Sequence, residues 1–365
     1  MYPPRNFFLG GNTCHGFYSL FHNIIRQDEA KRIFVIKGGP GVGKSTFMKH
    51  IGKIFLEKGY HIEYHWCSSD NDSLDGLVIE DLKVCLLDGT SPHIVDPKTP
   101  GAVDEIINLG EHWIEANLVN DRNNIANITK KVTKCFQTAY SSLRQAKLYQ
   151  EEWENYITES TNLAQINQIS NFILDKTFTG SKPSYSNYYQ PRELFASAIT
   201  PKGIVNEWPS ILNKCERMFI LKGEPGTGKS FIIERVIRQA QLLGIYVEAY
   251  PCSFNPQVYD GVYIPVIKTA VIHDFQEAFT NKNTSAEVIT YDLNDTLNIN
   301  KLKTHENELV YTKEHFKKSI NRAVEYIAEA KRLHDELEEY YVPSMKFEQI
   351  NAVRDITIKR ILALS

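Results

Sequence analysis

The sequence predicts an α/β fold built twice: two tandem units, each a parallel sheet flanked by helices, and each with an appended helical segment. Three observations predict it. A short apolar run, Arg32-Ile-Phe-Val-Ile-Lys37, ends in glycines and passes into a stretch of helical character from Ser45 to Lys58, the pattern of a buried parallel strand feeding a helix. The pattern recurs, so that Lys37-Gly-Gly-Pro-Gly-Val-Gly-Lys-Ser45 faces Lys222-Gly-Glu-Pro-Gly-Thr-Gly-Lys-Ser230 at a shift of 185 (222 − 37). Polar stretches with helical propensity then follow in each half, from about Trp113 to Asp175 and from Glu306 to Leu364.

Taken in order, the first helix stops at Gly59, His61 to Cys67 reads as a second strand, and Val84-Cys-Leu-Leu-Asp88 as a third that ends in an acid. This order suggests a doubly wound core with ligands beyond the carboxyl ends of the strands. The shift of 185 carries Gly59 onto Gly244, Glu63 onto Glu248, Cys67-Ser68 onto Cys252-Ser253, Asp75-Gly76 onto Asp260-Gly261 and Lys83 onto Lys268. Arg5 and Gly16 match Arg192 and Gly203 at a shift of 187, and Ala146-Lys147, Glu152, Glu154 and Tyr156 match Ala330-Lys331, Glu336, Glu338 and Tyr340 at 184. The repeat is therefore half the chain, helical tail included. We place the first domain at 1–178, a linker rich in Gly, Ser, Pro, Asn and Tyr at 179–191, and the second domain at 192–365.

With 365 residues, 42% of them hydrophobic, each half has enough apolar sequence for its own core. A net charge of −3 gives no overall basic field, so nucleic-acid binding is not suggested. The six cysteines form no C-x-x-C pair, which fits reduced thiols better than a disulfide framework or a zinc site. No apolar run is long enough to span a membrane and no leader is evident at Met1, so the expected compartment is the cytoplasm. Nothing in the sequence fixes the oligomeric state.

The two glycine runs carry the chemistry. Each fits G-x-x-x-x-G-K-[ST], the P-loop pattern, in which glycines let backbone N–H groups converge on phosphate oxygens and the next helix points its positive end at them. The candidate nucleotide-binding residues are Gly38, Gly39, Pro40, Gly41, Val42, Gly43, Lys44, Ser45 and Thr46 in the first copy. In the second they are Gly223, Glu224, Pro225, Gly226, Thr227, Gly228, Lys229, Ser230 and Phe231. Lys44 and Lys229 are expected to reach the β- and γ-phosphates, and Ser45 and Ser230 to ligate Mg²⁺. Asp88, 50 residues after Gly38 (88 − 38), is the expected second acid acting on the metal; its other reading is the first residue of an Asp-Gly turn. The same spacing in the second copy lands on His273, with Asp274 next. A one-residue bulge would recruit Asp274; without it the second site is expected to be impaired for hydrolysis. Asp70, Asp72 and His93 are candidates to position water or a substrate hydroxyl, and their second-copy counterparts are Asn255, Gln257 and Ala278. Neither Asn281-Lys-Asn-Thr nor Asn213-Lys-Cys-Glu completes the N-K-x-D signature of guanine recognition, so ATP is expected over GTP.

Lys37–Thr46, Cys67-Ser-Ser-Asp70, Asp88-Gly-Thr-Ser-Pro-His93 and Pro100-Gly-Ala-Val-Asp-Glu-Ile-Ile-Asn-Leu109 together resemble an uncharacterised bacterial family of duplicated P-loop ATP-binding proteins, described loosely as nucleotide-kinase-like ATPases. The resemblance spans nearly the whole chain. It implies ATP binding and a cytoplasmic location, and supplies no substrate. Three functions stay open, in this order of preference: a Mg²⁺-dependent ATPase that moves its two domains or a partner, a kinase for a small molecule or nucleotide, and a non-enzymatic ATP-sensing switch. In the last, the helical segments would meet a protein partner.

Overall fold

The computed structural model describes residues 3–91, 93–181, 190–274 and 285–364. In the first half, β1 (Arg5–Phe8) is followed by a hairpin of β2 (Gly10–Thr13) and β3 (Gly16–Ser19). Then come β4 (Arg32–Lys37), α1 (Lys44–Glu57), β5 (Ile62–Trp66), β6 (Leu74–Ile79), β7 (Val84–Asp88) and β8 (Asp104–Asn108). The expected strands and first helix are all present, displaced at their ends by a residue or so. Three helices complete the half: α2 (Glu115–Asn120), α3 (Arg122–Ser160) and α4 (Leu163–Phe178).

The sheet order is β1-β5-β6-β7-β4-β8. Here the expected all-parallel sheet is corrected: β6 runs antiparallel to both β5 and β7, while the other pairings are parallel. The reason lies in the connections. Residues 67–73 and 80–83 are too few for a parallel crossover, which needs a dozen or more, so the chain reverses at each. The sheet is mixed and the fold is α/β.

The second half repeats this with β9 (Arg192–Glu193), the hairpin β10 (Ser197–Thr200) and β11 (Gly203–Asn206), α5 (Trp208–Ile211), β12 (Arg217–Lys222) and α6 (Lys229–Leu242). It continues through β13 (Glu248–Pro251), β14 (Tyr259–Ile264), β15 (Thr269–His273), β16 (Glu287–Asp292), α7 (Ile299–Lys303), α8 (Glu306–Tyr341) and α9 (Phe347–Leu362). Its sheet order, β16-β12-β15-β14-β13-β9, matches the first.

Apolar residues alternate along these strands, and the two faces of each sheet have different partners. One face of each sheet joins a shared core: Ile33, Val35 and Leu87 from the first half cluster with Met218, Ile220, Ile272 and Trp208 from the second. Phe8 and Phe195 exchange backbone hydrogen bonds across the junction, 2.9 and 3.1 Å. Beside it lies a buried ion network. Glu63 accepts from Arg192 at 2.7 Å and from Arg5 at 3.3 Å, and Glu248 accepts from Arg5 Nη1 at 3.0 Å. Burial alone raises the Glu63 carboxyl, but Arg192 and Arg5 overcome it and hold the group well below the usual carboxylate range. Each of the four residues has its counterpart in the other half, so the junction is a pseudo-twofold.

The helical segments do not stay with their own halves. α9 packs on the outer face of the first sheet, where Ile350 and Ile361 join Phe34, Ile36, Met48 and Phe55. α4 packs on the outer face of the second, where Ile166 and Ile173 join Phe219, Leu221 and Ile233. The expectation that each helical segment is appended to its own domain is thus corrected by a reciprocal exchange. α3 (39 residues) and α8 (36 residues) carry the chain across. Ile128 and Cys135 of α3 meet Ala330–Leu337 of α8, whereas Ala139–Ala146 meet Ala323 and Ile327, so the pair is antiparallel. At about 1.5 Å per residue each spans more than 50 Å, enough to connect one sheet's loop end to the other's. The six cysteines are all free. Among the described residues no helix is long and apolar enough to cross a membrane.

Candidate functional site

The first glycine loop joins β4 to α1, and its geometry requires its glycines. Gly38, Gly41 and Gly43 have φ of 152°, 65° and 85°, values that side chains disfavour. A Cβ on Gly38 would lie 2.7 Å from Val42 Cγ2. Lys44 folds back over the loop, where its ammonium donates to the carbonyls of Gly38 and Gly39, both at 2.8 Å. Ser45 begins α1 beside it, and its Oγ accepts from the N–H of Leu74 at 3.0 Å, tying the helix start to β6. Thr46 is exposed.

Asp88 closes β7, directly beside β4, with its Cα opposite Ile36. Its turn reading is met by one oxygen, while the other faces the loop lysine. Oδ1 accepts from the Thr90 N–H at 2.8 Å, which makes the turn, while Oδ2 lies 3.6 Å from Lys44 Nζ. Thr90 Oγ1 in turn donates to Gly38 O at 2.9 Å.

The other three expected acid–base residues divide. Asp70 shapes its own turn by accepting from the Asp72 N–H and pairs with Lys331 of α8 at 3.4 Å. Asp72 is exposed beside Lys202. His93 alone is drawn inward: its ring stacks on Phe21, and Nε2 lies 3.7 Å from Asp75. Burial lowers the imidazole to about 4, with Asp88 opposing, so it is neutral at pH 7.

Asp75 is the residue that sequence reasoning passed over, noting it only as a match in the repeat. It lies in β6, 4% exposed, and burial followed by the nearby Asp88 carboxylate pushes its carboxyl well above the usual range. A signal was present: an acid in the otherwise apolar Leu74-Asp-Gly-Leu-Val-Ile79, met again as Asp260 in Tyr259-Asp-Gly-Val-Tyr-Ile264.

The exchanged arms close over both loops. On the first, Glu338 of α8 places Oε1 3.2 Å from the Gly41 N–H. Side chains of Trp113 and Tyr341 crowd Gly39, and those of Tyr341 and Val342 crowd Gly41. A groove of about 610 Å³ opens alongside, walled by Gly110, Trp113, Leu118, Arg122 and Tyr341. On the second, a Cβ at Gly226 would lie 2.5 Å from the backbone oxygen of Glu154 in α3, and Thr158 Oγ1 donates to Gly226 O at 3.0 Å. Glu224 pairs with Lys313 at 2.9 Å, and its N–H donates to Asn294 Oδ1, also at 2.9 Å.

Lys229 repeats the pose of Lys44, donating to Gly223 O at 2.6 Å and Glu224 O at 2.7 Å. Burial brings its pKa down to about 8, against the smaller raising effects of Glu224 and Asp260. His273 stands opposite Leu221, the place that Asp88 holds opposite Ile36. The pairing of β12 with β15 carries no bulge, and Asp274 turns to Lys222 at 3.3 Å. Asp274 is therefore not recruited. Ser230 follows Lys229 at the head of α6, and Phe231 is exposed beneath Arg235. Pro40, Val42, Pro225 and Thr227 fill the loops between the glycines, with Val42 and Thr227 buried at matching positions, and Gly228 repeats Gly43 with φ of 94°. Ala278 and Asn281-Lys-Asn-Thr, together with most of the expected linker, lie outside the described residues.

Compared with known families, with curated proteins and with solved structures, the chain finds no match in any of the three.

Proposed function

We propose that the protein binds ATP with Mg²⁺ and hydrolyses it at the first glycine loop, while the second loop holds nucleotide as a structural or regulatory ligand. The observation that carries this reading is the placement of Lys44 between the loop carbonyls and the strand-end acid Asp88. Lys229 has the same loop but His273 in place of that acid.

The residues fit the ligand. Gly41 N–H already holds a carboxylate oxygen, that of Glu338, in the manner expected for a phosphate oxygen. Ser45 and Asp88 supply the hard oxygen donors that Mg²⁺ prefers. When bound, the ion would neutralise charge on the transferred phosphoryl group. Lys44 would leave the loop carbonyls and turn its charge to the phosphates. Asp88 would hold the metal side of the site, with the Thr90 N–H fixing its orientation. Trp113 and Tyr341 offer aromatic walls for a base in the groove beside Gly39.

For a triphosphate to enter, Glu338 must release the Gly41 N–H and the Tyr341–Val342 segment must withdraw. Those residues end an arm rooted in the other half. Nucleotide binding would therefore be linked to movement of the α3–α8 pair, in keeping with an ATPase that drives a change between its halves.

Two measurements test the reading. Calorimetric competition should favour MgATP over MgGTP; equal or tighter GTP binding overturns the base assignment. Phosphate release from purified protein should depend on Mg²⁺ and proceed without an added acceptor. ADP formed only with a metabolite pool, and without release of inorganic phosphate, would identify a kinase instead.

A further inference from the structure

A second chemistry sits beneath the first loop. β5 and β6 pair with a register break at His65/Trp66, and this bulge brings the end of β5 alongside the start of β6. Cys67 leaves β5 there, with its N–H donating to Ser73 O at 2.9 Å. Asp75 faces it from β6. His93 arrives from the turn after β7, its ring against Phe17 and Phe21 at 4.9 and 4.6 Å. One Sγ, one carboxylate oxygen and one ring nitrogen from these three residues lie within 4.8 Å of one another. Asp75 Oδ2 is buried with no hydrogen-bond partner among the described residues, and His93 Nε2 is the ring nitrogen nearest it, at 3.7 Å. An unpartnered carboxylate oxygen so deeply buried is costly unless a ligand completes it.

The second half supports the grouping by an independent route. The same bulge recurs at Tyr250/Pro251. Cys252 and Asp260 stand where Cys67 and Asp75 do, and Asp260 Oδ2 is likewise buried without a hydrogen-bond partner among the described residues. The counterpart of His93 is Ala278, yet an imidazole still reaches the carboxylate: His273, from the strand-end position of Asp88, lies 3.7 Å from Asp260 Oδ1. A cysteine, a buried aspartate and a histidine thus recur in the second half, although the imidazole comes from a different place in the chain. The ligand atoms of the second set are not all within 4.8 Å of one another, as those of the first are.

The geometry points to a binding site for one zinc-class divalent ion, held by Cys67 Sγ, an Asp75 carboxylate oxygen and His93 Nε2, with a fourth position open. A thiolate with an imidazole selects a borderline-soft ion over Mg²⁺, and three protein ligands from separate elements leave the open position that water or a phosphate oxygen takes. Charge also balances, since one thiolate and one carboxylate match a divalent ion. Binding forms the metal–sulfur bond as the Cys67 proton leaves to solvent, together with the Asp75 proton where that carboxyl is protonated, and no electron is transferred. This site stands whether or not the loops bind ATP.

The test uses the full chain without nucleotide, stripped with chelator and titrated with Co²⁺ and then Zn²⁺. One tight equivalent of cobalt should give a thiolate-to-metal charge-transfer band that zinc abolishes. Cys67→Ser should remove the band, Cys252→Ser should leave it, and His93→Ala should weaken cobalt affinity more than about tenfold. If Cys67→Ser does not fold, X-ray absorption of the zinc-loaded wild-type chain decides, with one sulfur and at least one nitrogen expected in the shell. No charge-transfer band, a band that survives in folded Cys67→Ser, or a sulfur-free shell overturns the proposal. So does cobalt bound without a band, the behaviour of the half-exposed His334, Asp335 and Glu338 cluster.

Discussion

The two glycine loops are alike in backbone and unlike in what faces them. Both run through left-handed glycines, both fold a lysine back on their first two carbonyls, and both lie under an arm from elsewhere in the chain. Around the first loop the neighbours are side chains: Glu338 on an N–H, Tyr341 and Val342 over Gly41. Around the second it is helix backbone at Gly226, pinned by Thr158 and by the Lys313–Glu224 pair. The Glu338 side chain rotates away at small cost, whereas the Tyr341–Val342 segment and the helix backbone at Gly226 must move as bodies. Lys44 also has a carboxylate at 3.6 Å, while the position facing Lys229 holds an imidazole. A duplicated loop is thus kept whole while its surroundings differ, and the different tasks proposed for the two copies rest on that difference.

The largest expected effect lies where the halves are most alike. Glu63→Ala and Glu248→Ala each leave two buried guanidinium groups sharing a single carboxylate, and each should cost about 3–5 kcal/mol in urea unfolding. Similar losses support a symmetric junction; a negligible loss at one position would make the network one-sided. Because the folded Glu63 carboxyl is depressed, its contribution is present above the ordinary carboxylate range and is lost as pH falls through its folded value.

Asp88→Asn separates the copies. It keeps the turn to Thr90 and removes the charge beside Lys44, so Mg²⁺-dependent turnover should fall on the order of 100-fold with nucleotide binding retained. Magnesium-dependent hydrolysis at the wild-type rate would leave Asp88 as a turn residue. The reciprocal change, His273→Asp, should raise turnover if the acid is what the second loop lacks.

Smaller effects probe the arms. Glu338→Ala frees the Gly41 N–H, and MgATP affinity at the first loop should rise about tenfold, the worth of one charge-assisted hydrogen bond. Unchanged affinity by calorimetry would mean that the arm does not compete. Smallest is a proton. With Lys229 at about 8 in the folded chain and ~10.4 when unfolded, the unfolded chain binds more protons between those values. Stability from this group therefore rises with pH across that window. Phosphate would raise the pKa again, so nucleotide binding near pH ~8.5 should take up a fraction of a proton, seen as buffer-dependent heat that Lys229→Met abolishes.

What the sequence disclosed was local. β4, α1 and β7 follow from apolar runs, glycines and a strand-end acid whose signals fall within a few residues. The reversal of β6 was legible in principle, since residues 67–73 and 80–83 cannot make a crossover, but the strand-loop-helix order drew attention to a parallel core. The exchange of arms had no local signal. The tails match one another, as Glu154 matches Glu338 and Ala146 matches Ala330, so either pattern suits either sheet. Only tertiary packing decides between them. Asp75 went unremarked for a related reason: its significance depends on Cys67, Asp88 and His93, which only the folded sheet brings near it.

The central claim, that chemistry belongs to the first loop, is tested most directly by phosphate release from Lys44→Ala and Lys229→Ala compared with the wild-type chain under saturating MgATP. Lys44→Ala removes the charge facing the transferred phosphate and should lower the rate by roughly 100- to 1,000-fold. Lys229→Ala should keep most of the rate while changing stability or nucleotide affinity at the first loop. Equal losses in the two variants, or a wild-type rate in Lys44→Ala, would contradict the account.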